Sequence, residues 1–166
     1  MGLVEAPPPL AVFDCSLFLQ AVLRGSGPAS ACFELVEKGR LRLVVSSAIL
    51  AEVRDVLTRP KLIRKYPQLA SPHVAEFLET VVEWAEYTDP VPEIFPYRRD
   101  PKDQPYLDLA VAVGADFLVS RDRDLLDLQA ADSEAGQDLR RSAPKLTILN
   151  PVELLRRFSP TTDESG

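Results

Sequence analysis

The chain has 166 residues, 46% of them hydrophobic and 27% charged, with a net charge of −6. Single domains run to ~100–200 residues, so one domain with its own core is expected, and it needs no disulfide or structural metal to hold it. The acid excess argues against a broadly basic nucleic-acid-binding surface, and no apolar run approaches the ~20 residues of a membrane span.

Met1 to Pro9 carries Glu5 and three consecutive prolines rather than a basic, apolar leader. No secretory signal is expected, and the cytoplasm is the expected compartment. Leu10-Ala11-Val12-Phe13 is a short apolar run, the pattern of a central parallel strand, and Asp14 ends it. Ser16 to Leu23 reads as a short helix or turn, broken by Arg24-Gly25-Ser26-Gly27-Pro28. Ala29 to Lys38 is predicted helical, with Gly39 at its C-terminal cap. Leu41 to Ser46 is a second strand. Ser47 is expected to cap a helix from Ala48 to about Thr58, which Arg59-Pro60 stops. Lys61 to Leu69 is short and basic. Ser71-Pro72 opens a helix from His73 to about Tyr87, with Val74, Phe77, Leu78, Val81, Val82 and Ala85 on one face. Asp89 to Pro96 is a proline-rich loop with room for a short extended piece at 93–95. Asp103 to Val113 is helical and ends at Gly114. Ala115 to Ser120 is a third strand, and Asp122 to Leu126 begins a short helix. Residues 129–144 are polar and weakly patterned, and read as a surface excursion. Leu146 to Leu149 is a last strand, and Pro151 opens a helix to Phe158.

Strands alternating with helices predict an α/β three-layer sandwich, a central parallel sheet flanked by helices. The expected division is a flexible N-terminus (1–9), one domain (10–158) and a flexible tail (159–166).

Two cysteines, Cys15 and Cys32, and one histidine, His73, remove several chemistries. There is no CxxC pair and no His/Cys cluster, which argues against a zinc site. Ser-His-Asp and Cys-His catalysis would each rest on His73, which reads as a solvated residue of a helix first turn. Cys15 beside Asp14 reads as a small packed residue, since no base is available to activate it.

The acids fall more informatively. Asp14 follows the first strand, Asp122 lies two residues past the third, Asp103 begins a helix, and Glu52 lies one turn into the helix after the second strand. In a parallel sheet, function gathers at the carboxyl ends of the strands. Four carboxylates from separated segments are therefore expected to share one edge. Converging carboxylates repel unless a cation lies between them. All-oxygen ligands select Mg²⁺ or Mn²⁺ over softer metals, and such an ion assists phosphodiester cleavage.

Val12-Phe13-Asp14-Cys15-Ser16-Leu17-Phe18, Ser46 to Val53, Asp100-Pro101-Lys102-Asp103-Gln104-Pro105-Tyr106-Leu107-Asp108-Leu109-Ala110 and Ala115 to Leu126 follow one another along the chain. In order and spacing they resemble the four motifs of the PIN domain, a nuclease family that includes the VapC-type toxins. Ile148 to Leu155 is similar to that family's last strand and closing helix. The resemblance implies an acidic pocket of Asp14, Glu52, Asp103 and Asp122 holding one or two Mg²⁺ or Mn²⁺ ions. It also implies a single-stranded RNA substrate, a homodimer, and for toxin members a cognate antitoxin that covers the pocket. Position 16 holds Ser where relatives usually carry Asn, and position 104 holds Gln where acids are frequent, with Asp100 the alternative to Asp103.

Around these acids, Ser16 and Ser120 are candidates to hold a carboxylate or a metal-bound water, and Asp124 is a candidate outer acid. Arg99, Lys102, Arg121 and Arg123 flank the acids, and the window 54–65 is locally basic through Arg54, Arg59, Lys61, Arg64 and Lys65. Such cations steer a phosphate backbone toward a negative pocket. Two other readings of the acidic edge stay open: a domain that binds RNA or a protein partner without turnover, and a phosphoacceptor using Asp14.

Overall fold

The computed structural model describes residues 6–93, 101–130 and 133–159. Five strands form one all-parallel sheet: β1 (Leu10–Phe13), β2 (Arg42–Val45), β3 (Glu86–Tyr87), β4 (Phe117–Val119) and β5 (Thr147–Leu149), in the order β3-β2-β1-β4-β5. Helices flank it, giving the three-layer α/β sandwich expected from the alternation of strands and helices. Ala11, Val12 and Phe13 are all buried, as a central strand covered on both faces requires.

Helices α1 (Cys15–Arg24) and α2 (Pro28–Glu37) connect β1 to β2. Between β2 and β3 lie α3 (Ser47–Leu57), α4 (Pro60–Lys65), a 3-10 turn (Pro67–Ala70) and α5 (Pro72–Trp84). A 3-10 turn (Pro101–Asp103) leads into α6 (Gln104–Val113) ahead of β4. After β4 come α7 (Arg123–Ala130) and α8 (Glu134–Ser142), and α9 (Pro151–Phe158) follows β5. Among the described residues no helix is long and apolar enough to cross a membrane.

Phe33 ties the layers together. Its ring meets Phe13 of β1, Phe18 of α1 and Phe77 of α5 edge-on, at centroid distances of 5.1, 5.1 and 5.2 Å. Edge-to-face pairs at this spacing add to plain area burial.

Three readings of the sequence need correction. The helix predicted to reach Tyr87 ends at Trp84, and Glu86–Tyr87 pairs with β2 as an edge strand. Its hold includes a bidentate pair, Arg42 Nε and Nη2 donating to the Glu86 carboxylate at 2.7 and 3.1 Å. The cap of α3 is Ser46, whose hydroxyl accepts from the Ile49 N–H, rather than Ser47. Ser46 has the extended backbone that a cap needs, while Ser47 is already helical and bonds Asp89 and Tyr87 instead. The polar stretch 129–144 contains α8, capped by Ser133 and packed through Leu139. The short extended piece expected at 93–95 falls largely on residues outside those described.

Helix α9 starts with a capping box: Asn150 Oδ1 accepts from Glu153 N at 2.8 Å, and Glu153 Oε1 accepts from Asn150 N at 3.1 Å. The Asn150→Ala variant is expected to lose about 1 kcal/mol. Urea unfolding measures it as a lower midpoint at unchanged slope.

Candidate active site

The strand order reverses around β1: the chain first runs outward through β2 and β3, then crosses to β4 and β5 on the other side. Such a switch leaves a crevice at the carboxyl ends of the two strands that flank it. Asp14 and Ser120 stand there, each directly after its strand. The ladder runs on through both, Asp14 N donating to Val119 O and Ser120 N to Leu149 O, each at 3.1 Å. Their backbones are therefore as fixed as the sheet.

Asp14 is 5% exposed and Ser120 fully buried. Asp14 Oδ1 accepts from Ser16 N at 3.0 Å and from the Ser16 hydroxyl at 2.5 Å. Asp14 Oδ2 accepts from the Ser120 hydroxyl. The same Ser120 oxygen accepts from Asp122 N at 2.8 Å, and Ser16 Oγ accepts from Arg121 N at 3.0 Å. Asp122 Oδ1 accepts in turn from Asp124 N at 2.8 Å, so Asp122 caps the start of α7 while facing the same network. Two serines thus lock the end of β1 to the turn after β4.

Burial above all raises the Asp14 carboxyl to about 6; the serine hydrogen bonds lower it, and the nearby Asp122 charge raises it. Burial likewise pushes the Cys15 thiol up to about 12, with help from the charges of Glu52 and Asp14 and against that of Arg59. An un-ionised thiol is no nucleophile, which agrees with the packed-residue reading. The same effects place Glu52 of α3 within electrostatic reach of Cys15. His73 is exposed beside Glu76, as expected of a first-turn residue.

Asp103 is buried at 5% exposure and sits at the N-cap of α6, yet its side chain makes no capping bond there. One turn on, Tyr106 is a residue the sequence reading missed. Its buried hydroxyl makes no well-formed hydrogen bond among the described residues, although Glu52 stands beside it. Burial first, then Cys15, Glu52 and Asp14, hold that phenol above its usual range. Its position three residues after Asp103 was the available signal. Lys102, Arg121 and Arg123 are exposed around the acids. Arg99 and Asp100 lie outside the described residues. The basic residues of 54–65 are exposed on α3, α4 and the turn between them, with Arg59 paired to Asp55 at 2.9 Å.

A family model described as the PIN domain matches residues 11–124. The chain belongs to the PIN domain family. PIN domains are generally nucleases, and those nucleases generally use divalent metal ions. Among solved structures, PAE2754 from Pyrobaculum aerophilum is similar at a TM-score of 0.46 and 14% identity, over 90% of this chain and 96% of that one. No curated protein matches the chain.

Whether this PIN domain suits such an ion turns on donor type and charge. The candidates are carboxylate oxygens, as a hard cation needs. Asp14 carries a desolvation penalty, and Asp122 repels it, which a cation would relieve. Among the described residues, however, no three His, Cys, Asp or Glu side chains are grouped closely enough to hold a metal. The donor chemistry fits, with Asp14 and Asp122 facing one network and Glu52 approaching from α3.

The Ser120→Ala variant tests that network. It leaves the buried Asp14 Oδ2 and Asp122 N–H each short of a partner, for a stability loss of roughly 1–3 kcal/mol. Loss of a group that orients a ligand costs a further ~10–100-fold in metal affinity or activity. Denaturation and Mn²⁺ titration measure the two effects separately.

Proposed function

We propose that this PIN domain is a Mg²⁺- or Mn²⁺-dependent endoribonuclease that hydrolyses single-stranded RNA, the toxin half of a toxin–antitoxin pair acting as a homodimer. The observation that carries the reading is Asp14: a carboxylate kept buried at the sheet's switch point, clamped by two hydroxyls and facing a second acid. A fold accepts that cost where the charge is needed.

Asp14 and Asp122 would hold the ion, with Asp103 and Glu52 contributing, and the bound ion supplies Lewis acidity and a water of lowered pKa. Ser16 and Ser120 keep the Asp14 oxygens in fixed directions. Glu52, beside Tyr106, would position the attacking water or take its proton. Arg121, Arg123 and Lys102 draw the RNA backbone toward an acidic edge that would otherwise repel it. A cognate antitoxin would neutralise the site by presenting cations to these acids.

Purified protein with Mn²⁺ is expected to cut a labelled single-stranded RNA, and EDTA to stop it. Cleavage that persists in EDTA overturns the mechanism. A second reading, RNA binding without turnover, is favoured by the hydroxyls that already engage both Asp14 oxygens. Retained RNA binding with no products at any Mn²⁺ concentration selects it.

A further inference from the structure

Beside the acids, on the β4–β5 side of the carboxyl edge, lies a cleft of about 340 Å³ between α1, α2, α7 and α9. That volume is at the small end of the roughly 300–1,000 Å³ range of ligand pockets. Arg24, at the end of α1, and Arg121, in the turn after β4, both line it and both are exposed. Among the described residues neither has an ion-pair partner, in a chain with six more acids than bases. Leu126, Pro151 and Val152 also line it. Val152 is 42% exposed, and among the described residues only Val152 and Tyr87 are large hydrophobics left in solvent.

Unpaired cations and an uncovered apolar surface in one small cleft match the two halves of a nucleotide, a phosphate and a base. The cleft is also wired to the acids: Arg121 N donates to Ser16 Oγ, which donates to Asp14.

We infer that this cleft seats the nucleotide flanking the scissile phosphate of single-stranded RNA, with its phosphate at Arg24 and Arg121 and its base against Leu126, Pro151 and Val152. The inference rests on the nuclease reading for what happens to that RNA, but binding itself is measurable without cleavage.

The test is fluorescence anisotropy of a labelled single-stranded RNA with the full chain in EDTA, comparing the parent with Arg24→Ala and Val152→Ser. Both changes are at exposed positions, and thermal melts confirm folding. Arg24→Ala is expected to weaken binding ~10-fold and to reduce the slope of log Kd against log salt by about one. Val152→Ser is expected to weaken it ~3-fold, since apolar contact surface for the base is lost, with the slope unchanged. Unaltered Kd values in both variants, or no RNA binding by the parent, overturn the inference. With Mn²⁺ added, normal cleavage by the parent and both variants leaves the nuclease reading standing and removes the cleft. Variant-sensitive binding without any cleavage does the reverse.

Discussion

The Asp14→Asn variant is expected to lose Mn²⁺-dependent RNA cleavage and, in the absence of metal, to melt at a higher temperature than the parent. The activity loss should exceed the ~10–100-fold that removal of a supporting partner costs, because the proposed ligand itself is lost. The stability gain follows from charge. The fold raises Asp14 from 3.8 to about 6, chiefly by burying it. A carboxyl whose pKa is raised on folding contributes stability that is complete below pH 3.8 and is lost as pH climbs through about 6. Two pKa units amount to roughly 3 kcal/mol at pH 7 and above. The amide escapes that cost, although one serine hydroxyl must turn to accept from it rather than donate. Calorimetry at pH 7.5 should show a rise of several degrees, and the gap between variant and parent should close near pH 4. Mn²⁺ should then raise the melting temperature of the parent but not of the variant. A variant that melts below the parent at pH 7.5 contradicts the burial argument, and one that still cleaves RNA contradicts the catalytic one.

Phe33→Ala is expected to be the most damaging single change to stability, at about 3–5 kcal/mol. Phe33 is 3% exposed and touches Phe13, Phe18 and Phe77, so its loss opens a void shared by β1, α1, α2 and α5. The sheet backbone limits collapse on the β1 side. At ~2–4 °C per kcal/mol for a chain of this size, the melting temperature falls by roughly 6–20 °C. A fall of under 1 kcal/mol in guanidinium unfolding would mean that the neighbouring rings can close the gap.

Much of this architecture was legible because its signals are local. Val12 and Phe13 before Asp14, and Leu118 and Val119 before Ser120, are apolar runs that end in a polar residue. That change marks the carboxyl end of a buried strand. β3 had no such signal: Glu86 and Tyr87 are exposed, and only pairing with β2 makes them a strand. Helix α8 buries Gly136 and Leu139 in an otherwise polar and charged run, whose low hydrophobicity reads as solvated surface. At the site, residue type pointed to the acids and the serines. It did not reveal that Ser16 and Ser120 each face two partners, or that Tyr106 adjoins Glu52, because those are contacts between distant segments. The choice between Ser46 and Ser47 as the cap of α3 was of the same kind, decided by backbone conformation and by Asp89 across the edge.

The placement of β1 between β2 and β4 governs when the acidic site is completed during synthesis. β1 leaves the ribosome early, yet its second neighbour ends at Val119, and Ser120 and Asp122 follow that. At ~5–20 residues per second, roughly 5–20 seconds separate the emergence of Asp14 from that of Ser120 and Asp122. Throughout that interval the nascent chain holds Asp14 and Ser16 without the second serine of the clamp. A site assembled this way stays incomplete until most of the chain has been made.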